Sequence, residues 1–468
     1  MARAKTVFAC TECGAQQPRW LGRCPSCGAW SSLVEEASGP APVARPDFFS
    51  GEASPARPLR LGDVAARETE RLATGLDELD RVLGGGLVPG SVVLLGGEPG
   101  IGKSTLALQL AARIQKHGPV LYVTAEESPE QVRLRAERLP DVPAEIQILA
   151  TTSVEALAGP WQGCAPALVL VDSIQTVQTE RAASAAGSVA QVRESAALLA
   201  AAAKRSGAAL VLVGHVTKEG TLAGPRVLEH LVDVVLTFEG DRSHPFRLLR
   251  ATKNRYGATH ELGVFTMTGS GLEGVANPSE LFLAERQADA PGSCIVPVLE
   301  GSRPMLLEIQ ALVAPAGYGT ARRTCLGIDD ARVALLLAVL DRRTDLGLVG
   351  RDLYVNVAGG VRILEPSADL AVALAIASSR LDVPLPPDVA ACGEVGLGGE
   401  IRRVGRMDAR LREAQRLGFR RVLLPEGLSP SDAPGERSPA AAGVRAIAVA
   451  DVADAVRWLR ANARSRVA

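Results

Sequence analysis

The stretch "GGEPGIGKST", residues 96–105, fits the pattern of a phosphate-binding loop, in which Gly97 is followed after four residues by Gly102, Lys103 and Ser104. The apolar run "SVVLLGG" precedes the loop and the helix-like run "KSTLALQLAARIQ" follows it, which is the strand–loop–helix setting that such loops require. Main-chain N–H groups of the loop and of the helix N-terminus can cradle phosphate oxygens. The stretch therefore predicts a nucleotide site built into an α/β sheet.

The loop assigns a role to each of its polar side chains. We expect Lys103 to reach the β- and γ-phosphates of ATP and Ser104 to bind Mg²⁺. Asp172 ends the apolar run "ALVLVDS", so a strand would deliver its carboxylate to the same Mg²⁺. The residues expected to contact ATP are Gly97, Glu98, Pro99, Gly100, Ile101, Gly102, Lys103, Ser104 and Thr105.

Another strand candidate, "VLYVTAEES", ends in the acidic pair Glu126 and Glu127. Either carboxylate could orient the water that attacks the terminal phosphate, and the sequence does not decide between them. We take Glu126 as the catalytic candidate, together with Lys103 and Asp172. The alternative is that one member of the pair is a solvated acid on a loop.

On both sides of the loop, short Val/Leu runs alternate with helical stretches, which is typical of a parallel α/β sheet covered on both faces. A second α/β region begins near residue 285. A Pro-, Ala-, Ser- and Gly-rich stretch before the sheet has the composition of a flexible connector. The predicted domains are a zinc-binding unit at 1–34, a linker at 35–58, an ATPase domain at 59–285 and a further α/β domain at 286–468.

The length and the net charge of the chain limit the number of domains and the kinds of binding partner. A chain of 468 residues suits two or three domains. Because 51 basic and 52 acidic residues give a net charge of −1, no field of the whole protein favours nucleic acid, and any such binding must come from local patches. The N-terminus lacks the apolar segment of a secretory signal and the apolar runs are too short to span a bilayer, so we expect a cytoplasmic protein without membrane contact.

Four cysteines near the N-terminus form two CxxC pairs, Cys10 with Cys13 and Cys24 with Cys27. This doubled spacing brings four thiolates to one tetrahedral centre, and Zn²⁺ suits four sulfur ligands without redox chemistry. Since all four positions come from protein, no position is open for a substrate. The alternative is four reduced cysteines without metal. We predict a structural zinc site.

The zinc knuckle, the phosphate loop and the strand ends "EES" and "LVDS", followed by "GHVTKEG" and "KNRYG", occur in an order that resembles the bacterial DNA repair ATPases of the RadA family, also called Sms. These proteins are relatives of the RecA recombinases, and the resemblance covers essentially the whole chain. It implies a RecA-like ATPase core between the knuckle and a C-terminal domain similar to that of Lon proteases. The family motif ends in Phe-Gly, and here Tyr256 keeps an aromatic ring at that position.

Resemblance also gives a role to "KNRYG", which stands at 253–257, far along the chain from the phosphate loop. In RecA-like rings the nucleotide lies at a subunit boundary, and cations of the neighbouring protomer complete its site. Lys253 and Arg255 are therefore expected to act in trans, as catalytic and DNA-coupling residues, in a homo-oligomer that is by resemblance a hexamer. The alternative is a charged turn on a surface hairpin.

The segment "GHVTKEGTLAGPRVLEH", residues 214–230, corresponds by position to a DNA-contacting loop of RecA-like proteins. His215 stands where such a loop senses the nucleotide, and Lys218 and Arg226 are the expected DNA contacts, with Lys253 and Arg255. Because the segment has no aromatic residue for stacking, we expect it to contact phosphates. The alternative is a flexible surface loop.

The C-terminal region resembles the proteolytic domain of Lon, whose catalytic dyad pairs a serine with a lysine. Ser367 falls at the position of that serine, but Asp408 stands where the lysine is expected. An aspartate cannot act as the amine base of the dyad. We therefore expect a scaffold without protease activity, in which Arg402, Arg403 and Arg406 either contact DNA or form an ordinary solvated face.

Taken together, these features predict a DNA-dependent ATPase of the helicase or translocase type, with ATP, Mg²⁺ and Zn²⁺ as cofactors. By resemblance it acts in homologous recombination and repair on single-stranded and branched DNA, with a RecA-type recombinase as partner. Two other hypotheses stay open: a nucleotide-switched accessory protein without motor activity, and an ATP-dependent protease, which the missing lysine disfavours.

Overall fold

The computed structural model describes residues 5–10, 15–26, 28–38, 60, 70–182, 184–215, 226–240, 246–259, 261–317, 321–427 and 443–464. The chain divides into two compact units, Met1–Val275 and Ala276–Ala468. The sequence placed the domain boundary between 285 and 286, ten residues after the division between the two units at Val275. The difference arises because the first helix after Val275 packs within the second unit.

The first unit holds a small three-stranded sheet and a large mixed sheet. Its strands are β1 Lys5–Cys10, β2 Gln16–Gln17, β3 Leu33–Ser38, β4 Val92–Gly97, β5 Val120–Thr124, β6 Gln147–Ala150, β7 Leu168–Asp172, β8 Ala209–Val213, β9 Val234–Glu239, β10 Phe246–Asn254, β11 Leu262–Thr268 and β12 Gly271–Gly274. Its helices are α1 Asp77–Leu83, α2 Lys103–Ile114, α3 Pro129–Ala136, α4 Ala158–Cys164, α5 Val189–Ser206 and α6 Arg226–Leu231, with a 3-10 turn at Glu155–Leu157.

Nine strands form the large sheet among the described residues, in the order β12-β11-β10-β9-β4-β8-β7-β5-β6. The strands from β9 to β6 in this order run parallel, whereas β10, β11 and β12 extend the sheet as an antiparallel meander. The sequence predicts the parallel part, and the meander is an addition that it did not indicate. The mixed α/β class is confirmed.

The core lies on both faces of this sheet. Along β4, Val93 and Leu95 belong to one buried cluster and Val92 and Leu94 to the other, as expected for alternate side chains of a strand covered on both sides. Helix α2 packs in the first cluster and α5 in the second. The continuous Val/Leu runs of the sequence are therefore explained by burial on two faces.

Capping residues explain where the helices begin and end. Ser128 caps α3 by accepting a hydrogen bond from the main chain of Gln131, whose side chain accepts one in return from Ser128 N–H, and Pro129 occupies the first turn. Ser188 caps α5 by accepting a hydrogen bond from Gln191 N–H, without the reciprocal side-chain bond, and this helix ends at Gly207, whose φ of 77° belongs to the left-handed region that favours glycine. These local signals fix the loops that carry the site at the ends of the strands.

The second unit contains a seven-stranded sheet in the order β15-β16-β14-β13-β17-β20-β21 among the described residues, and a small β18-β19 pair. Its strands are β13 Ser293–Glu300, β14 Arg303–Pro315, β15 Arg323–Leu326, β16 Arg351–Val357, β17 Val389–Ala391, β18 Glu394–Val395, β19 Ile401–Arg402, β20 Arg421–Pro425 and β21 Arg445–Val449. Its helices are α7 Pro278–Leu283, α8 Asp330–Arg343, α9 Asp369–Leu381, α10 Met407–Arg416 and α11 Val452–Arg464, with 3-10 turns at Ala358–Gly360 and Pro366–Ala368. Among the helices described in both units, none combines the length and the apolar character needed to span a membrane.

Candidate functional site

The phosphate loop joins the end of β4 to the start of α2. Gly100 and Gly102 adopt φ values of 79° and 118°, which L side chains rarely adopt, so the tight turn requires glycine there. Gly97 is restricted by space, since a Cβ on it would lie 2.8 Å from Cβ of Phe238. The loop therefore leaves its main chain, rather than side chains, facing the place where phosphates would bind.

Lys103 is buried at the base of this loop and is only 4% exposed. Its ammonium donates hydrogen bonds of 2.8 Å to the carbonyl oxygens of Gly97 and Glu98. Burial lowers the pKa of Lys103 to about 8, although the carboxylates of Asp172 and Glu126 act in the opposite direction. The lysine is thus a desolvated cation, for which an incoming anion would be a favourable partner.

Asp172, at the carboxyl end of β7, lies beside Ser104. Burial raises the pKa of Asp172, while hydrogen bonds with the side chains of Ser104 and Tyr122 act to lower it. The Tyr122 hydroxyl donates to Asp172 Oδ2 over 2.9 Å. A serine hydroxyl and a carboxylate that meet beside a phosphate loop are the oxygen donors that Mg²⁺ prefers, so these residues fit the predicted magnesium site.

The two acids that follow β5 have different surroundings. Glu126 accepts a hydrogen bond from Ser173 and lies 3.3 Å from Nε2 of His215. Glu127 instead forms an ion pair of 2.5 Å with Arg135 of α3. The first acid therefore belongs to the group around Lys103 and Asp172, whereas the second is tied to a neighbouring helix.

His215 follows β8, next to the strand that carries Asp172. Its main-chain carbonyl accepts a hydrogen bond of 3.3 Å from the side chain of Gln175. Its Nδ1 is buried and has no hydrogen-bond partner among the described residues. The imidazole thus connects the acid of the nucleotide site to the start of the predicted DNA loop.

The "KNRYG" motif forms the end of β10 and the turn after it. The Lys253 ammonium donates to the carbonyl oxygens of Glu229 and Val232, at the end of α6, the second over 2.7 Å. The buried Asn254 amide donates to Val82 O and Leu83 O, which ties the turn to the end of α1. Arg255 pairs with Asp233 at 3.3 Å and keeps 56% of its side chain exposed. Arg255 is therefore the cation of the motif that is open to a partner.

Strand pairing determines how this motif stands relative to the phosphate loop of the same chain. At one edge of the sheet, Gly97 pairs with Phe238. At the other edge, Asn254 pairs with Val234, which pairs with Val93. Lys253 and Arg255 therefore lie near the amino end of β4, whereas the phosphate loop extends from its carboxyl end. The structure brings together Lys103, Ser104, Glu126 and Asp172, and it does not bring Lys253 or Arg255 to them.

Arg247, at the other end of β10, was missed in the sequence analysis. It is 8% exposed, and its Nε donates to the carbonyl oxygen of Ile101, within the phosphate loop, over 3.3 Å. Nothing in its local sequence indicates this contact, because it depends on the antiparallel pairing of β10 with β9. One strand thus touches the phosphate loop at its start and carries the exposed cation motif at its end.

The predicted DNA contacts can be compared with the structure only in part. Lys218 lies outside the described residues. Arg226 is the first residue of α6, and its side chain also lies outside them.

Comparison with known proteins places these features in a family. The protein named DNA repair protein RadA of Streptococcus pyogenes is 51% identical over 426 residues, which is 91% of this chain and 94% of the relative. Those of Bacillus subtilis and Pseudomonas aeruginosa are 48% and 50% identical over 459 and 450 residues, or 98% and 96% of this chain and 99% and 97% of the relatives. The chain belongs to the RadA family of DNA repair proteins.

Matches to domain families agree with the RadA assignment. Residues 55–221 match the AAA domain, residues 8–35 the rubredoxin metal binding domain, and residues 350–432 the Lon protease (S16) C-terminal proteolytic domain. The predicted order of zinc-binding unit, ATPase core and Lon-like domain is confirmed. An AAA domain in a RadA family member indicates that the chain binds and hydrolyses ATP.

The metal-binding domain of this RadA family member is described for two of its four cysteines. Cys10 and Cys24 are 0% and 1% exposed and form one small cluster with Leu33. Gly28, next to Cys27, has a φ of 78° and donates its N–H to Cys24 O over 2.9 Å, which closes a tight turn. Cys13 and Cys27 lie outside the described residues. Two buried thiols in one cluster fit the sulfur ligand set of zinc.

Ser367 marks the point at which the Lon-like domain of this chain differs from a protease. Ser367 is 1% exposed, and its hydroxyl oxygen accepts a hydrogen bond of 3.2 Å from Nη1 of Arg410. Asp408, which the sequence placed at the lysine position, pairs with Arg412 instead. A guanidinium stays protonated and cannot take the serine proton, so this arrangement does not make a nucleophile. Arg410 was missed in the sequence analysis, which considered only the aligned position.

Proposed function

We propose that this chain is a DNA-dependent ATPase that moves on single-stranded and branched DNA as a ring oligomer, by resemblance a hexamer. In this proposal it extends or branch-migrates the intermediates of homologous recombination, alongside a RecA-type recombinase. The proposal is supported by membership of the RadA family, by the AAA domain, and by the separation of the two cation groups across the sheet.

The observation that carries the proposal is the position of Arg255. Its guanidinium is largely exposed at the amino edge of the sheet, while the phosphate loop stands at the carboxyl edge. An arginine so placed cannot reach the nucleotide of its own chain, but it could reach that of a neighbour packed against this edge. An arginine supplied in trans stabilises transition-state charge and raises kcat by a factor of about 10³ to 10⁵.

Each side chain at the carboxyl edge then has a role in hydrolysis. Lys103 would exchange its two carbonyl partners for phosphate oxygens, and Ser104 and Asp172 would hold the Mg²⁺ that neutralises developing charge. Glu126 would orient the water and accept its proton as the oxygen attacks the γ-phosphorus. The bond to the β,γ-bridging oxygen breaks, which gives ADP and phosphate.

The contacts of Lys253 suggest how DNA is coupled to this step. Its ammonium donates to carbonyl oxygens at the end of α6, the helix in which the predicted DNA segment 214–230 ends, and Arg255 lies two residues further along than Lys253. His215, at the start of that loop, lies beside Glu126. At its start, the predicted DNA segment thus contacts Glu126, the acid proposed to orient water in the same chain. At its end, it contacts Lys253 of the motif proposed to serve the neighbouring site.

A subunit-mixing experiment tests the shared site. Lys103→Ala protomers keep Arg255 but lack a competent phosphate loop, and Arg255→Ala protomers keep the loop but lack the trans cation. Each variant alone should have less than about a hundredth of the parent kcat, whereas a one-to-one mixture should recover a substantial part of it at the mixed boundaries. Arg133→Ala, which removes an exposed arginine from α3, is the matched control and should keep parent activity. Inactivity of every mixture, with oligomers intact by light scattering, contradicts the proposal.

Lys253→Ala tests the coupling to DNA. We expect nearly unchanged ATP affinity, because Lys253 does not contact the phosphate loop of its own chain, and loss of the increase in ATPase rate that single-stranded DNA produces. The measurement is the steady-state ATPase rate with and without single-stranded DNA. Equal rates for variant and parent under both conditions would remove this role from Lys253.

Fork unwinding separates a motor from a switch. The parent should displace a labelled strand from forked DNA only with ATP, and the Glu126→Gln variant should not. If the parent hydrolyses ATP on DNA but displaces no strand, the accessory hypothesis replaces the motor.

A further inference from the structure

Two tryptophans of the zinc-binding unit are exposed in a way that their size does not favour. Trp30 is 73% exposed and Trp20 is 56% exposed, whereas Trp161 in the ATPase core is 1% exposed. Large aromatic side chains contribute more to stability when they are buried. Two solvent-exposed indoles on the small zinc-binding unit therefore indicate a contact with another molecule. None of the functions proposed above uses them.

The two indoles are close together and lie around Gly22. A Cβ built on Gly22 would lie 3.8 Å from Cη2 of Trp20 and 3.8 Å from Cζ3 of Trp30. Because Gly22 has no side chain, the space between the two rings is left open. A flat molecule that reaches this space could contact both rings.

The knuckle itself holds this surface in place. Arg23 pairs with Trp30 in an isolated β-bridge, and Ser31 N–H donates to Gly22 O over 2.8 Å. The Arg23 guanidinium lies 5.8 Å from the ring centroid of Trp30, and its Nε donates to Gly28 O over 2.9 Å. The Trp30 ring and the Gly22 backbone are therefore held beside the turn that carries Cys24.

The charges beside the tryptophans favour an anionic partner. The zinc-binding unit through the end of β3, residues 1–38, contains four basic and three acidic residues, so the positive charge is local rather than a property of the whole unit. Arg19 directly precedes Trp20 in the sequence "PRWLGR", and the Arg23 guanidinium lies beside the ring of Trp30. Proteins bind single-stranded nucleic acids with exposed aromatic rings flanked by arginines, because the bases stack on the rings and the phosphates contact the cations.

We propose that Trp20 and Trp30 form a base-stacking site for single-stranded DNA on the zinc knuckle, with Arg19 and Arg23 facing the adjacent phosphates. The site rests on the proposed function in that DNA is taken as the partner of the chain. It adds an aromatic contact that the predicted DNA loop, which has no aromatic residue, cannot supply. A protein partner that covers the same rings is the competing outcome of the test.

The test uses the full chain loaded with zinc and two labelled oligonucleotides, one of oligothymidine and one of the same length with several abasic positions. Fluorescence anisotropy gives the affinity for each. The parent should bind the oligothymidine at least about tenfold more tightly than the abasic strand, since each stacked base raises the affinity by about this factor. In Trp20→Ala/Trp30→Ala this preference should disappear, and the affinity for oligothymidine should fall at least about tenfold.

Three further variants keep the result interpretable. Trp20→Phe/Trp30→Phe retains stacking surfaces and should stay within about threefold of the parent, whereas Gly22→Leu fills the space between the rings and should weaken binding even though both indoles are present. Val34→Ala removes another exposed apolar side chain of the unit, 52% exposed, and should have no effect. Zinc content is measured for each variant, and if the alanine pair loses zinc, the phenylalanine pair and Gly22→Leu decide.

The outcomes are distinct. Unchanged DNA affinity in a zinc-loaded alanine pair or in Gly22→Leu overturns this site and leaves the proposed function intact. A parent that binds no single-stranded DNA overturns both.

Discussion

Lys103 in the first unit and Arg410 in the second are both cations that the fold removes from water, being 4% and 2% exposed, and each lies near a serine and carboxylates. Their partners differ. The Lys103 ammonium donates to two main-chain carbonyls, and the carboxylates of Asp172 and Glu126 act on it only through space. Arg410 donates to both carboxylate oxygens of Glu365, at 2.7 and 2.6 Å.

Nε and Nη1 of Arg410 have further acceptors. They reach the carbonyl oxygens of Gly405 and Pro297 at 3.0 and 2.8 Å and the hydroxyl of Ser367. Arg410 thus has a carboxylate bound directly to it inside the fold, whereas the carboxylates near Lys103 form no direct ion pair with it. A buried cation with a carboxylate already bound serves the structure, whereas one whose hydrogen bonds go to neutral carbonyls remains available to an anion from outside.

The largest expected effect is on stability, at Arg410. Arg410→Ala removes one partner of a buried ion pair and leaves Glu365 without its counter-charge, so the second unit should lose about 3 kcal/mol or more of its free energy of unfolding. Lys103→Ala should leave the first unit as stable as before or more stable, because the lysine loses solvation without gaining an ion pair. Urea unfolding measures both, with the fluorescence of Trp458 reporting on the second unit.

Arg412→Ala is the control for Arg410, since Arg412 is on the same helix but exposed in its pair with Asp408. It should change stability by less than about 1 kcal/mol. Equal effects of the two arginine substitutions would mean that the Arg410 pair is not structural, and the comparison with Lys103 would no longer hold.

The next effect is on catalysis, and it separates the two adjacent acids. Glu126→Gln keeps the hydrogen bond from Ser173 but removes the base, so kcat should fall by about 10² to 10³. Glu127→Gln affects an acid bound to Arg135 and should change kcat by less than about fivefold. Single-turnover ATP hydrolysis at saturating ATP measures both. A larger loss for Glu127→Gln would exchange the roles of the two acids.

Much of the fold was predictable from the sequence because its signals are local. The runs that end in Gly97 and Asp172 are continuous and apolar, as strands buried on both faces must be, and the phosphate loop between strand and helix fixes the direction of the sheet. Gly207 and Ser188 likewise bound α5 by chemistry that can be read in the sequence. The α/β class and the order of domains follow from such signals.

Other parts of the site depend on pairing across long stretches of chain, which the sequence does not encode locally. Glu126 and Glu127 are neighbours, and what distinguishes them is the presence of Ser173 beside one and Arg135 beside the other. Arg247 reaches Ile101 across 146 residues because β10 returns antiparallel to β9. The same return sends Arg255 to the far edge of the sheet, so the distance between the two cation groups is a property of topology.

The smallest effect is a dependence on pH that follows from the partners of Lys103. Since burial lowers the pKa of Lys103 to about 8, the free protein carries the ammonium below that pH and increasingly the neutral amine above it. A bound phosphate favours the ammonium and raises the pKa again. Below pH 8 the affinity for nucleotide should therefore be flat, and above pH 8 binding must take up a proton, so affinity should fall by up to about tenfold per pH unit.

The measurement is the Kd of a fluorescent ADP analogue between pH 6.5 and about 9.5. Mg²⁺ is left out so that no magnesium hydroxide can form at high pH. Lys103→Arg is the matched control, because a guanidinium stays charged throughout this range, and its weaker binding should be independent of pH. If the parent is also independent of pH up to 9.5, Lys103 keeps its proton in the free protein. It would then already have an effective counter-charge, as Arg410 does, and the contrast between the two cations would have to be sought in their access to solvent instead.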